Sequence, residues 1–179
     1  ICSMKKLLVI LAVLGLLFAM SGDSFARGII VKGGYAIMQD DYEDAEYDNK
    51  PFFGLFFDMG TFLFDSLRFK PGLDYIAMKS DLAGDFDIWG IHLDWYWYFL
   101  GKAEIMPYLG FGPALNIYDW DDDNTRDEDS DAGLEGFVGI QFDLSGPLAV
   151  MVEGRYVVND IADRGTNMVK LGVAVQYSF

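Results

Sequence analysis

Thiol and imidazole groups are nearly absent from this chain, which contains one cysteine and one histidine among 179 residues. The cysteine, Cys2, lies ahead of the first methionine, Met4, in a stretch that we do not expect in the mature protein. A mature chain without cysteine has no disulfide framework, no cysteine-bound metal and no cysteine nucleophile. The composition therefore argues against thiol-dependent chemistry, and we expect no cofactor.

Basic residues are also scarce. The chain has 13 lysines and arginines against 28 aspartates and glutamates, which gives a formal net charge of −15. A protein that binds nucleic acid must neutralise phosphates, so this composition argues against DNA or RNA as a partner. Aromatic residues make up 16 % of the chain, which is too many for a disordered acidic tail. We therefore expect a folded and strongly acidic protein.

The one long apolar run lies near the amino terminus. Residues 7–20 form a run of 14 apolar residues behind two lysines, and small side chains at Ser24 and Ala26 follow. A basic start, a run of this length and a small-residue cleavage site are typical of a Sec signal peptide. The run is short for a membrane-spanning helix. We therefore predict a signal peptide over 1–26, with an upstream remnant at 1–3.

Cleavage after Ala26 would leave residues 27–179 as a single mature domain. Arg27 follows the predicted cut, and a lipoprotein would need a cysteine there. The mature protein is therefore expected to be exported without a lipid anchor.

Beyond this leader, apolar and other residues alternate with the period of two that strands have. In 168–179, for example, Val169, Leu171 and Val173 share one face and Lys170 lies on the other. Short and longer connections alternate between the segments, which is typical of an up-and-down meander closed into a barrel. The chain is therefore predicted to be an all-β, eight-stranded antiparallel barrel. The predicted strands are 28–38, 51–63, 67–79, 86–99, 105–118, 132–144, 147–158 and 168–179.

One face of these segments is bulky and uncharged throughout, and the other is rich in glycine and alanine. A charge facing the middle of a bilayer costs about 2–4 kcal/mol, so a clean face favours a membrane barrel over a soluble one such as a lipocalin. Small residues suit the narrow interior of eight strands. Aromatic residues lie towards strand ends, as in an interfacial girdle. These are Trp89, Trp95, Trp97, Phe99, Tyr177 and Phe179.

The chain ends on outward apolar residues followed by Tyr177-Ser178-Phe179. This ending resembles the carboxy-terminal signal that the barrel assembly machinery of Gram-negative bacteria reads. The mature chain is similar to the small eight-stranded outer-membrane barrels of the OmpA/OmpX type, without the periplasmic domain of OmpA. The resemblance implies a monomer in the outer membrane, with lipid, lipopolysaccharide and the assembly machinery as partners.

Twelve titratable side chains are predicted to face the interior. The structural interpretation is a plug of ion pairs, because each charge in a confined space needs a partner. The functional alternative is a narrow channel for small solutes, which would require those pairs to separate. The twelve residues are Lys32, Asp58, Arg68, Lys70, Asp74, His92, Asp94, Glu135, Asp143, Glu153, Arg155 and Lys170.

His92 and Asp94 share this inward face, and such a pair can activate a nucleophile. No serine is placed with them, and the segment His92–Trp95 does not match the histidine and serine of the barrel-shaped lipid A deacylases. We therefore predict no enzymatic activity and no catalytic residue. A lipid-modifying enzyme remains a third alternative, because the scaffold supports such enzymes.

Two predicted long loops are unusually acidic. Residues 39–50 contain six acids and residues 119–131 contain eight. Asp119, Asp121 and Asp123 have the spacing of an EF-hand, but the required glycine and glutamate are replaced, so they form no firm metal site. Diffuse attraction of Ca²⁺ or Mg²⁺ is expected instead. The sequence thus favours a non-enzymatic surface barrel that displays acidic loops for contacts with lipopolysaccharide, cations or other surfaces.

Overall fold

The computed structural model describes residues 27–39, 50–78, 86–100, 103–120, 128–144, 146–159 and 167–179. The predicted signal peptide lies outside the described residues, as do 40–49 and 121–127 of the acidic loops. In the described part, no helix has the length and apolar character needed to cross a bilayer. The strands are β1 Gly28–Met38, β2 Lys50–Asp58, β3 Thr61–Phe62, β4 Phe64–Met78, β5 Phe86–Tyr98, β6 Ile105–Trp120, β7 Glu128–Asp143, β8 Leu148–Val158 and β9 Met168–Ser178.

These strands close into an antiparallel barrel. They pair in the order β2-β1-β9-β8-β7-β6-β5-β4-β3, and a further pairing of β2 with β4 joins the sheet to itself. That closing seam aligns Phe52 with Ile76 and Phe56 with Gly72. The two-residue β3 is a short addition that pairs with the beginning of β4. The predicted eight-stranded up-and-down barrel is therefore confirmed.

The turn after the second strand differs from the prediction. The sequence pattern predicts a strand over 51–63 and a turn at 64–66, but β2 ends at Asp58 and 64–66 already belongs to β4. The chain reverses through left-handed φ angles at Gly60 (91°) and Leu63 (65°). The Gly60 backbone N–H donates to the Asp58 carboxylate at 2.9 Å, as aspartate commonly arranges in turns. The turn itself contains apolar residues, so the spacing of apolar residues along the sequence does not distinguish it from a strand.

The acidic segment 119–131 was also predicted wrongly in part. It was expected to be entirely loop, but β6 continues to Trp120 and β7 begins at Glu128. Asp119 is paired with Glu128 in the ladder between these strands. The backbone ladder continues through these positions although apolar and polar residues no longer alternate. The alternation in the sequence therefore predicted both strands to be too short.

The two faces of the wall differ as expected through the middle of the strands, but the expectation of a wholly uncharged outer face was wrong at strand ends, where Asp65, Asp87 and Asp119 lie in the outward phase. Outward side chains are bulky and exposed, as Val31 (60 %), Phe53 (65 %) and Val138 (61 %) illustrate. Inward small residues make room for large neighbours, since a Cβ at Gly72 would collide with the ring of Phe56. A narrow barrel can therefore hold aromatic rings inside where the neighbouring strand lacks a side chain at the paired position.

Most of the predicted girdle residues lie outside the wall. Trp89, Trp97, Phe99 and Tyr177 are about half exposed, and Phe179 is 68 % exposed. Trp95 is less exposed because it packs between the rings of Phe69 and Phe111. The wall therefore carries aromatic side chains where a membrane interface can receive them.

Candidate functional site

The barrel has two different ends. We call the end with the connections 39–49, 79–85, 121–127 and 159–167 the loop end, and the opposite end the turn end. Between them, inward side chains of separate strands meet in a central charged layer. Each member is at most 6 % exposed. The layer consists of Lys32, Asp74, His92, Asp94, Glu135, Glu153, Arg155 and Lys170.

Arg155 of β8 lies at the centre of this layer. Its Nη2 contacts Asp94 Oδ2 at 2.6 Å and Glu153 Oε1 at 3.1 Å, and its Nη1 contacts Glu135 Oε1 at 2.9 Å. The planar guanidinium offers several donors in fixed directions, so one side chain can bind carboxylates from three strands. Its Cζ also lies 4.3 Å from the ring centroid of Phe137.

Lys32 and Glu153 form a second strong contact across the barrel. The Lys32 ammonium donates to Glu153 Oε1 at 2.6 Å and lies 4.5 Å from the centroid of Phe56. Glu153 Oε2 accepts hydrogen bonds from the hydroxyls of Tyr96 (3.2 Å) and Tyr108 (3.0 Å). Such pairs repay their loss of water only when the remaining lone pairs are also bonded, and Glu153 meets that condition.

His92 bridges the other side of the layer. Its Nδ1 lies 2.8 Å from Glu135 Oε1, and its Nε2 lies 3.1 Å from Asp74 Oδ1. The second oxygen of Asp74 accepts from Lys170 at 2.6 Å. His92 and Asp94 share the inward face as predicted, but the ring nitrogens of His92 contact Glu135 and Asp74 on other strands.

The remaining inward charges lie nearer the turn end. Asp58 is buried and accepts from Arg68 Nη1 at 3.0 Å and from Gln176 Nε2 at 3.0 Å. Lys70 donates to Gln176 Oε1 at 3.0 Å and to the Tyr98 hydroxyl at 2.8 Å. Asp143 is exposed at this rim, where Gln141 donates to it at 2.7 Å. All twelve predicted interior residues therefore lie in the central layer or in this second polar group.

Two apolar layers inside the barrel were missed by the sequence analysis. Both consist of buried side chains on inward positions of the strands. The available signal was the inward phase of residues such as Ile76 and Met78. The loop-end apolar layer contains Ala36, Met38, Phe52, Ile76, Met78, Ile88, Tyr118, Val157 and Met168. The aromatic layer contains Ile30, Phe56, Tyr96, Tyr98, Tyr108, Phe137, Met151 and Ala174.

These layers leave little space inside. A void bordered by Lys32, Phe56 and Asp74 has no room for a water molecule. The central charges are therefore held by each other and by aromatic rings, in an interior that packs like a protein core.

One group of residues has the composition of a metal site. Ligand atoms of His92, Asp94 and Glu135 lie within 4.8 Å of one another. However, Arg155 already binds both carboxylates, at 2.6 and 2.9 Å. The guanidinium thus provides the positive charge that a metal ion would bring. For the weak loop motif, Asp119 lies in β6, whereas Asp121 and Asp123 lie outside the described residues.

A different acidic arrangement appears on the outer wall at the loop end. Asp87 of β5 and Asp119 of β6 are directly opposite in the ladder, and strand alternation turns both outward. The Tyr75 hydroxyl donates to Asp87 Oδ1 at 2.9 Å, and its ring lies 4.8 Å from that of Trp89. The sequence analysis missed this pair because it placed Asp119 in a loop.

Fold and wall together define a transmembrane barrel of the outer-membrane class. The chain belongs to the outer membrane protein beta-barrel domain family, whose pattern matches residues 9–179. The protein is therefore placed in the outer membrane of Gram-negative bacteria, among the small barrels that its sequence resembles. No curated protein matches the chain.

Solved structures with the same fold differ widely in sequence. Neisserial surface protein A aligns with a TM-score of 0.66 and 15 % identity, over 85 % of this chain and 96 % of that one. Ail, the attachment invasion locus protein of Yersinia pestis, gives 0.56 and 13 %, over 87 % and 100 %. The outer membrane enzyme PagL gives 0.51 and 11 %, over 85 % and 99 %. At such identities the likeness establishes the fold alone.

Proposed function

We propose that this protein is a non-enzymatic component of the outer-membrane surface, which contacts lipopolysaccharide through divalent cations. The observation that carries the proposal is the outward pair of Asp87 and Asp119 beside Trp89. Longer loops of such barrels face the outside of the cell, so the pair lies at the outer leaflet. Phosphates of lipopolysaccharide lie at that level, and carboxylate and phosphate oxygens both suit Ca²⁺ or Mg²⁺.

The electrostatics of the loop end support this proposal. Like charges directly opposite on neighbouring strands destabilise a sheet, on the scale of about 0.2–1 kcal/mol per pair. A divalent cation turns that repulsion into attraction for both carboxylates. The segments 39–50 and 119–131 bring six and eight acids to the same end, which raises the local concentration of cations.

Retention of lipopolysaccharide by the refolded mature barrel in detergent tests this function. We expect binding in Mg²⁺ that EDTA removes and that Na⁺ does not replace. The double variant Asp87→Asn, Asp119→Asn should lose about tenfold in affinity, which corresponds to ~1.4 kcal/mol. Asp65→Asn, at the exposed start of β4 near the turn end, is the matched control and should bind normally. Equal Mg²⁺-dependent binding by both variants would contradict the proposal.

The alternative function is a narrow channel for small solutes, and the packed interior argues against it. A solute would have to displace the loop-end apolar layer and then separate Arg155 from three carboxylates. Planar-bilayer recordings, made after a heat-shift gel confirms folding, should therefore be silent. Discrete, voltage-stable openings would establish the channel instead.

Catalysis is not supported by the position of His92. Both of its ring nitrogens face carboxylates inside the barrel, and neither contacts a hydroxyl of the described residues that it could activate. A lipid-modifying enzyme needs its reactive groups where lipid can reach them. Lipid A from expressing and null cells should therefore have the same mass, and a mass difference would revive the enzymatic alternative.

The route to the membrane is part of the proposal. We propose Sec export, cleavage after Ala26 and recognition of the last strand by the assembly machinery. Tyr177 and Phe179 support recognition, because both rings face outward and their centroids lie 6.4 Å apart. Protein purified from outer membranes should begin at Arg27, and retention of residues 7–20 would contradict cleavage.

A further inference from the structure

With its four carboxylates ionised, the central charged layer does not balance without His92. Its three permanent cations are Lys32, Arg155 and Lys170, whereas four carboxylates face them. We infer that His92 is held as an imidazolium, supplies the fourth positive charge and makes the closure of the barrel interior dependent on one proton. This inference concerns the interior and is independent of the proposed surface function.

The geometry of the ring supports a doubly protonated state. An ionised carboxylate only accepts hydrogen bonds, and a neutral imidazole has one nitrogen that cannot donate. Here Nδ1 lies 2.8 and 3.0 Å from the two oxygens of Glu135, and Nε2 lies 3.1 Å from Asp74 Oδ1. Either neutral tautomer would place a nitrogen lone pair against a carboxylate. With two N–H groups, Nδ1 donates to Glu135, and Nε2 presents a positive N–H to Asp74 at ion-pair distance, although that contact lacks hydrogen-bond geometry.

The competing donor to Nδ1 is Arg155, whose Nη1 lies 3.4 Å away. This distance is long for a hydrogen bond, and Glu135 Oε1 lies closer to both groups, at 2.8 Å from Nδ1 and 2.9 Å from Nη1. Glu135 is therefore a shared acceptor between two cations. Its position explains how a guanidinium and an imidazolium can lie side by side.

Among the residues that the structure describes, every charged group that packs around His92 belongs to this layer. Asp74 of β4 and Glu135 of β7 contact the ring, while Asp94 lies on the same strand. Arg155 of β8 approaches Nδ1, and Lys170 of β9 acts through Asp74. The ring itself is fully buried, so water does not screen these charges.

Loss of this proton would leave one uncompensated negative charge inside the barrel. The charge would lie between strands β4, β5 and β7, which His92 connects. Because the folded layer binds the proton, barrel stability is linked to pH and should fall on the alkaline side. The protonated ring thus stabilises the contacts between these three strands, and we call this arrangement the proton-dependent lock.

Nitrogen NMR of the refolded mature barrel tests the assignment directly, because the chain has a single histidine. A free imidazole, with a pKa near 6.5, is about 99 % neutral at pH about 8.5. We expect both ring nitrogens of His92 to remain protonated at that pH. One unprotonated ring nitrogen would overturn the inference and would move the proton to the carboxylates of Asp94 and Glu135.

Two variants test the linkage to stability. His92→Gln removes the charge, and the double variant His92→Gln, Glu135→Gln restores neutrality while Arg155 keeps Asp94 and Glu153. The midpoint of the heat-shift gel is measured from pH about 6 to about 9, the range around the histidine pKa. We expect a fall with pH in the wild type, a lower and flat midpoint in His92→Gln, and partial recovery in the double variant. A slope in His92→Gln equal to that of the wild type would refute the lock.

Discussion

Replacing Arg155 by methionine is the sharpest test of the central charged layer. The guanidinium is 3 % exposed and contacts Asp94, Glu135 and Glu153 at 2.6, 2.9 and 3.1 Å. Methionine has a similar length and suits the neighbouring ring of Phe137. The substitution therefore removes the charge and its hydrogen bonds while it leaves only a small change in volume.

The expected loss of stability follows from the charged groups that remain after the substitution. Removing one partner of a buried ion pair costs about 3–5 kcal/mol, because the other charge is left without compensation. Lys32 still binds Glu153 at 2.6 Å, whereas Asp94 loses its 2.6 Å partner. We therefore expect Arg155→Met to lower the free energy of unfolding by about 3–5 kcal/mol.

Arg68→Met is the matched control, because Arg68 is 31 % exposed and, in the described part of the chain, contacts one carboxylate, Asp58, at 3.0 Å. Without Arg68, Asp58 still accepts from the Gly60 N–H and from Gln176 Nε2, so we expect Arg68→Met to cost only about 1 kcal/mol, the net value of one hydrogen bond. Urea unfolding of both refolded variants in the same lipid vesicles, followed by tryptophan fluorescence, gives the comparison. Losses that agree within about 1 kcal/mol would refute the assignment of Arg155 as the centre of the layer.

Two further outcomes are expected. Gly72→Ala should destabilise the barrel by about 1–3 kcal/mol, because the new methyl group collides with the ring of Phe56. The control is Gly136→Ala, where nothing lies within 4 Å of the new methyl group. In the same urea assay, this control should change stability by less than about 0.5 kcal/mol. Deleting Phe179 should lower the amount of heat-modifiable protein in outer membranes, measured by immunoblot, because the proposed assembly signal loses its last ring.

The architecture was predictable because alternation assigns each residue to a face. The bulky phase, seen in Val169 and Leu171, lies outward, and the phase of Lys170 lies inward. An outer phase that is uncharged through the middle of all eight long strands, with carboxylates such as Asp87 and Asp119 only near strand ends, leaves few folds other than a membrane barrel. The turn at Gly60 was misplaced, because apolar residues continue through it and only the backbone angles mark the reversal.

The partners of the inward charges were not predictable from one sequence. Lys32 and Glu153 are 121 residues apart, and their contact depends on the diameter and shear of the closed barrel. The outward pair Asp87 and Asp119 depends on the register between β5 and β6. Alternation gives the face of each side chain, but register and closure decide which side chains meet.

Because the contacts of the interior charges depend on strand register, these charges also help to select that register. A slip of one residue in a strand turns every side chain of that strand to the opposite face. For β1 or β8, such a slip would move Lys32 or Arg155 into the lipid and leave its carboxylates unpaired inside. A charge facing the bilayer centre alone costs about 2–4 kcal/mol. Alternative registers are thus penalised on both faces, and the buried network selects one alignment of the strands while it fills the barrel.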